Sequence, residues 1–208
     1  MLARPGAGYR QDMDNEDPTS ASATAKSESP FEGFAEAVEG LDGLDPVAGG
    51  IASAVDSAIP PGAAKAALNG SWLGHSLHPL LTDVVVGSFM SATFLDVLGG
   101  KGTEKAANRL VGVGLAAYAP TALTGLSDWS DRAGDDPAIR RTGLVHATTN
   151  AVGASLYAAS AKARASSRAR GALLGLAGFT VMGAGAFLGG HLTKLRGLEP
   201  LAPSAPAR

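Results

Sequence analysis

Apolar positions are distributed unevenly along this chain. From residue 79 onward, four mostly apolar stretches follow one another, at 79–98, 106–126, 142–161 and 172–192. At about 1.5 Å rise per residue, about twenty helical residues reach across a hydrocarbon core about 30 Å thick. Between Ala172 and Gly190 no residue is charged. A surface helix of a soluble protein would need a polar face there, which argues against an alanine-rich soluble domain. The third stretch is the least apolar, because Thr148, Thr149 and Asn150 interrupt it. Helices that face one another can bury such residues where an isolated span could not.

Short breaks separate the stretches: Gly99-Gly100-Lys101-Gly102, then 127–141, then 162–170. Neighbouring helices should therefore run antiparallel. Asp136-Pro137 is a helix restart, and Pro120 should kink the second helix. Gly171/Gly175, Gly185/Gly189 and Gly112/Ala116 have the small-xxx-small spacing of helix contact faces. The pattern predicts an all-α fold, a polytopic membrane four-helix bundle over residues 71–197. Ahead of it, Phe31, Phe34, Val38 and Leu41 recur at helical spacing, with Glu32, Glu36 and Glu39 between them. Val47, Ile51, Val55 and Ile59 then recur at every fourth position. Residues 31–70 thus read as an amphipathic helical linker that lies at the membrane interface, docks on the bundle, or forms a marginal helix. Residues 1–30 form a small, polar, acidic tail expected to be disordered, as is the C-terminus at 198–208.

Charge divides the chain in the same place. Of 17 basic and 19 acidic residues, the first 64 positions hold three basic and eleven acidic ones, leaving fourteen and eight for the rest. Lys101, Lys105, Arg109, Lys162, Arg164, Arg168 and Arg170 cluster around the first and third connections. The second carries Arg132, Arg140 and Arg141, offset by Asp128, Asp131, Asp135 and Asp136. The positive-inside rule puts the first and third connections in the cytoplasm and both termini opposite. No apolar run resembling a signal peptide opens the chain. The chain has no cysteine, which excludes disulfides, thiolate catalysis and cysteine-ligated metal sites. It shows no phosphate-cradling loop, no HExxH and no nucleophile elbow, so the expected role is non-enzymatic. The basic run at 162–170 has no aromatic platforms beside it, so nucleic acid is not an expected partner.

The alternating helices bring chemistry to one end. His75 and His78 precede the first stretch, Asp128 follows the second, His146 opens the third and His191 closes the fourth. Asp83 lies about a turn inside the first, and Asn150 one turn beyond His146. All four histidines of the chain therefore share one face of the membrane. Imidazoles suit zinc, copper and iron, with carboxylates as further ligands, so His75, His78, Asp83, Asp128, His146 and His191 are the candidate metal residues. A histidine pair on opposing helices, His78 and His146, could clamp a haem iron. Two other roles fit the same residues: hydrogen bonds that fix helix packing, or a proton or substrate path through a small transporter. Asp83 should be paired, protonated or metal-linked, His146 being its nearest partner by topology.

The segments HSLHPLLTDVVVG (75–87), TGLSDW (124–129), the Arg140-to-His146 spacing and FLGGHL (187–192) carry a resemblance. Together they resemble an uncharacterised bacterial membrane family, domain of unknown function 2231, over about residues 70–197. The resemblance implies a four-helix membrane domain in a bacterial plasma membrane. Some relatives are joined to a Rieske-type iron–sulfur domain, which implies a redox setting. The expectation that follows is a membrane component binding a transition metal or haem. Its expected partners are membrane lipid, a redox protein and further copies of the chain, with a small transporter and a structural interaction protein as the alternatives.

Overall fold

A computed structural model describes residues 30–134 and 136–195. The disordered ends expected at 1–30 and 198–208 lie outside these residues, Pro30 apart. Among the described residues the chain is all-helical, with seven α-helices and no strand. They are α1 (Pro30–Glu39), α2 (Asp45–Ala58), α3 (Ala63–Leu68), α4 (Leu77–Val97), α5 (Glu104–Ala133), α6 (Pro137–Arg164) and α7 (Arg168–Leu195). Local chemistry sets several of these ends. Asp136 accepts a hydrogen bond from the Ala138 N–H and Pro137 fills the first turn, so α6 starts where the sequence places it. α4 opens at Leu77, two residues before Pro79, and stops before the Gly99-Gly100 pair.

α4 to α7 form an antiparallel ring. α4 and α6 each pack against α5 and α7, and face each other across the diagonal. The ends of α4 and α6 meet the starts of α5 and α7: Arg164 reaches Asp96 and Asn108, and Arg168 reaches Glu104. Three of the four, α4, α5 and α7, are long and apolar enough to cross a membrane. α6, expected as the third crossing, is not among them. It has 28 residues but carries Arg140, Arg141, Lys162 and Arg164 near its ends and Thr148, Thr149 and Asn150 within.

Apolar side chains such as Val85, Phe89, Val111 and Leu188 fill the core, yet the burial pattern departs from a soluble bundle's. Leu80, Val84, Met90, Phe94, Val97, Val113, Leu123, Val152, Leu173 and Leu176 are exposed. Ser88, Thr93, Thr121, Thr124, Ser127, Thr142 and Ser160 are buried. Bulky aliphatic groups outside and hydroxyls inside suit a lipid surround, where helices associate by close contact and polar bonds rather than by burying grease.

The glycines make that contact possible. A Cβ at Gly114 would lie 2.5 Å from the Phe89 ring, at Gly125 2.7 Å from His78 and at Gly189 2.8 Å from His146. Gly171 and Gly175 face Arg164 and Ser160, and Gly185 faces Asn150, so the contact face expected on α7 is present. On α5 the expected pair is misplaced: Gly112 and Ala116 are exposed, and Gly114 and Gly125 take the contacts instead.

Residues 30–73 dock on the histidine end of the ring. At about 1.5 Å per residue, α5 is about 45 Å long, so it overshoots a hydrocarbon core and offers its last turns to this cap. Ala48 and Ala52 of α2 pack with Trp129, Ala133, Ile139 and Leu192. Phe31 and Phe34 of α1 lie 5.6 and 6.2 Å from Phe187. Arg141 binds Asp45 through two nitrogens, Asp42 at 2.5 Å and the Glu39 carbonyl at 2.7 Å. Lys65, 6% exposed, joins Asp56 at 3.0 Å to Asp131 at 2.6 Å. Asp42 and Asp45 of the N-terminal segment thus neutralise Arg140 and Arg141 at the start of α6.

Candidate functional site

The histidine pair is built one half on each side of the ring. His78 is the second residue of α4 and projects onto α5. Its Nδ1–H donates to the Thr121 carbonyl at 2.9 Å, and its ring fills the notch at Gly125. His146, in the third turn of α6, projects onto α7. Its Nδ1–H donates to the Gly185 carbonyl at 2.8 Å, and its ring fills the notch at Gly189. Thr82 and Asn150 each follow by four residues and touch the same ring, at 3.5 and 3.3 Å. The two rings stand 6.5 Å apart, centroid to centroid, with planes at 79°. Both are half-buried.

The other expected ligands share this end but not this place. His75 is exposed, with Nδ1 3.0 Å from the Ser76 carbonyl. Asp128 accepts a hydrogen bond from the Ser76 hydroxyl. His191 bonds Glu39 of the cap at 2.5 Å. Asp83 lies on the exposed face of α4. It makes no hydrogen bond or ion pair among the described residues, so its expected pairing with His146 does not form. The six-residue metal set of His75, His78, Asp83, Asp128, His146 and His191 is therefore not gathered. Among the described residues no group of three or more His, Asp or Glu is placed to hold a metal. The physical reason is rotation: about five residues at about 100° each turn Asp83 well away from His78's face of α4.

Asp96 and Arg164 were missed in the sequence as a pair. Their side chains are 1% and 4% exposed and bond through both guanidinium nitrogens at the opposite end of the ring. The signal in the sequence is an aspartate two positions before the end of the first apolar stretch, with no adjacent cation. Charge in the cap is tuned by similar contacts. The Arg141 guanidinium beside Asp45 holds its carboxyl down at about 2, and Lys65 lowers Asp56. Asp131 beside Lys65 raises the ammonium above its usual range.

Residues 74–199 match the family described as "Predicted membrane protein (DUF2231)". The chain belongs to this family. The matched span takes in α4 to α7, both histidines of the pair and the Asp96–Arg164 contact, while the docked cap at residues 30–73 precedes it. No curated protein and no solved structure matches the chain. Membership agrees with the three long apolar helices and the outward aliphatic surface, so the chain is a membrane protein by both sequence and structure.

Proposed function

We propose that this is a four-span protein of a bacterial plasma membrane that holds a haem iron between His78 and His146. The shared setting of the two rings carries the reading. A carbonyl oxygen only accepts, so in each neutral imidazole Nδ1 bears the hydrogen and Nε2 keeps the lone pair. That is the tautomer in which metal-ligating histidines are held by a carbonyl behind them. Two nitrogens about 2 Å from one metal atom would set the ring centroids about 6 Å apart. The observed 6.5 Å suits a single atom between them. With no third His, Asp or Glu gathered among the described residues, a bare zinc or copper ion would be short of ligands. A haem iron would need only His78 and His146 from the protein. Gly125 and Gly189 make room for the two rings, and Thr82 and Asn150 lie 3.5 Å from the respective Nε2 atoms.

Bound there, haem would supply one-electron transfer close to the membrane surface, which calls for a redox protein as partner. Two features support α6 as the fourth crossing. It packs between α5 and α7, and three of its polar groups turn inward: Thr142 and Ser160 are buried, and Arg164 is neutralised by Asp96. The transporter alternative relied on Asp83 lining a path with the histidines, and Asp83 faces outward.

The test is the absorption spectrum of protein purified in mild detergent from haem-replete cells. The wild type should show a Soret band at about one haem per chain. His78→Ala and His146→Ala should each abolish it, while His75→Ala and His191→Ala keep it. A wild type with no Soret band ends the haem reading and leaves the imidazoles as hydrogen-bonded locks between helices.

A further inference from the structure

The residues that meet across the ring are evenly spaced in the chain. Phe89 faces Tyr157 and Asp96 faces Arg164, each 68 residues further on. His78 and His146 stand at the same offset, and so do Thr82 and Asn150, each beside its own histidine. The Phe89 and Tyr157 rings stack at 3.8 Å with planes 4° apart.

The partner helices keep a second constant offset. Glu104 at the start of α5 bonds Arg168 at the start of α7 at 2.5 Å, 64 residues on. At that offset, Thr121 and Gly185 supply the carbonyls to the two histidines. Gly125 and Gly189 supply their notches, and Gly114 and Gly178 receive the Phe89 and Tyr157 rings. One shift for α4 to α6, another for α5 to α7, and matching contacts at each pair describe a two-fold axis along the ring. The change from 68 to 64 means a shorter connection in the second half.

Two of the pairs are alike in place and opposite in charge. Asp96 and Glu104 belong to the first half, Arg164 and Arg168 to the second. We infer that the membrane domain is a duplicated helical hairpin, α4–α5 and α6–α7, whose acid-bearing first copy recognises the arginine-bearing second copy as its partner. Two first copies would set Asp96 against Asp96 in a position 1% exposed, and two second copies would set Arg164 against Arg164 at 4%. Like charges held there would be desolvated without compensation. The axial pairs that carry no charge, His78 with His146 and Phe89 with Tyr157, fit either partner, so specificity rests on the acid–arginine pairs.

Charge exchange in the full chain tests this, whether or not haem is bound. Asp96→Arg and Arg164→Asp alone should lower the folded fraction after a fixed heat challenge in detergent by about tenfold or more. The exchange D96R/R164D should return it to within about threefold of the wild type. The size-conserving substitutions Asp96→Asn and Arg164→Gln are the second measurement. Made together, they should do less damage than the product of their separate effects. An exchange no better than either single reversal overturns the inference, and so does independence of the two neutral substitutions.

Discussion

Gly125 and Gly189 lack side chains where His78 and His146 need the space, and that exclusion decides how the imidazoles sit. With each ring pressed against a neighbouring helix and its Nδ1–H held by a carbonyl, tautomer and rotation are fixed together. A methyl group in either notch would force the ring off its rotamer. Gly125→Ala and Gly189→Ala should therefore each destabilise the fold by about 1–3 kcal/mol, read as a lowered unfolding midpoint in detergent. Gly112 has nothing within 4 Å of a would-be Cβ. Gly112→Ala should be neutral or stabilise by up to about 1 kcal/mol, through better helix propensity. Equal losses at all three positions would deny the notches their role.

Among the elements, the cap formed by α1, α2 and α3 depends most on charge. The Arg141 guanidinium holds the docked Asp45 carboxyl down at about 2, below its ordinary 3.8. A carboxylate lowered in the folded state lends its stability above the unfolded value and loses it as pH falls through the folded one. Asp56, lowered by Lys65, acts in the same sense. Lys65 is raised by Asp131, so its contribution is complete below 10.5 and fades above that. The cap should thus stay docked through the neutral range and release between about pH 4 and pH 2. Amide hydrogen exchange, corrected for intrinsic rates, should speed up over α1 and α2 in that window before it does over α4–α7. Arg141→Ala should produce the same faster exchange at neutral pH. Unchanged protection of α1 in that variant would count against the ion pairs as the docking force.

For the whole molecule, the decisive question is whether α6 crosses. Four crossings place the cap and the α6–α7 connection on opposite sides; three, with α6 left out, place them together. Ser57 and Ser166 are exposed, one in the cap and one in that connection. In a chain that has no cysteine, Ser57→Cys and Ser166→Cys should label from opposite sides of sealed vesicles. By the positive-inside rule, the Ser166→Cys label should come from the cytoplasmic side. Labelling of both from one side would remove α6 from the membrane. Arg164 adds nothing to that bias, being neutralised by Asp96; Lys101, Lys105, Arg109, Lys162 and Arg170 carry it.

The sequence by itself determined the helical class, the four long elements, their alternation and the gathering of the histidines at one end. Length, uncharged runs and short breaks are local properties, and antiparallel succession follows from them. Asp136-Pro137 and Gly99-Gly100 also marked boundaries that the structure keeps. What the sequence could not assign was which face of each helix meets a neighbour. Val47 and Ile51 look like the buried stripe of α2, yet they are exposed, while Ala48 and Ala52 pack on Trp129. In lipid or at its edge, close approach favours small residues, so the largest apolar side chains no longer mark the contact face. The same inversion hid Gly114 behind Gly112, turned Asp83 outward and brought Asp96 in to Arg164. Which side chains meet depends on helix rotation about the common axis. That rotation is set by glycine notches and ion pairs whose two members lie 64 or 68 residues apart, beyond the reach of any local pattern.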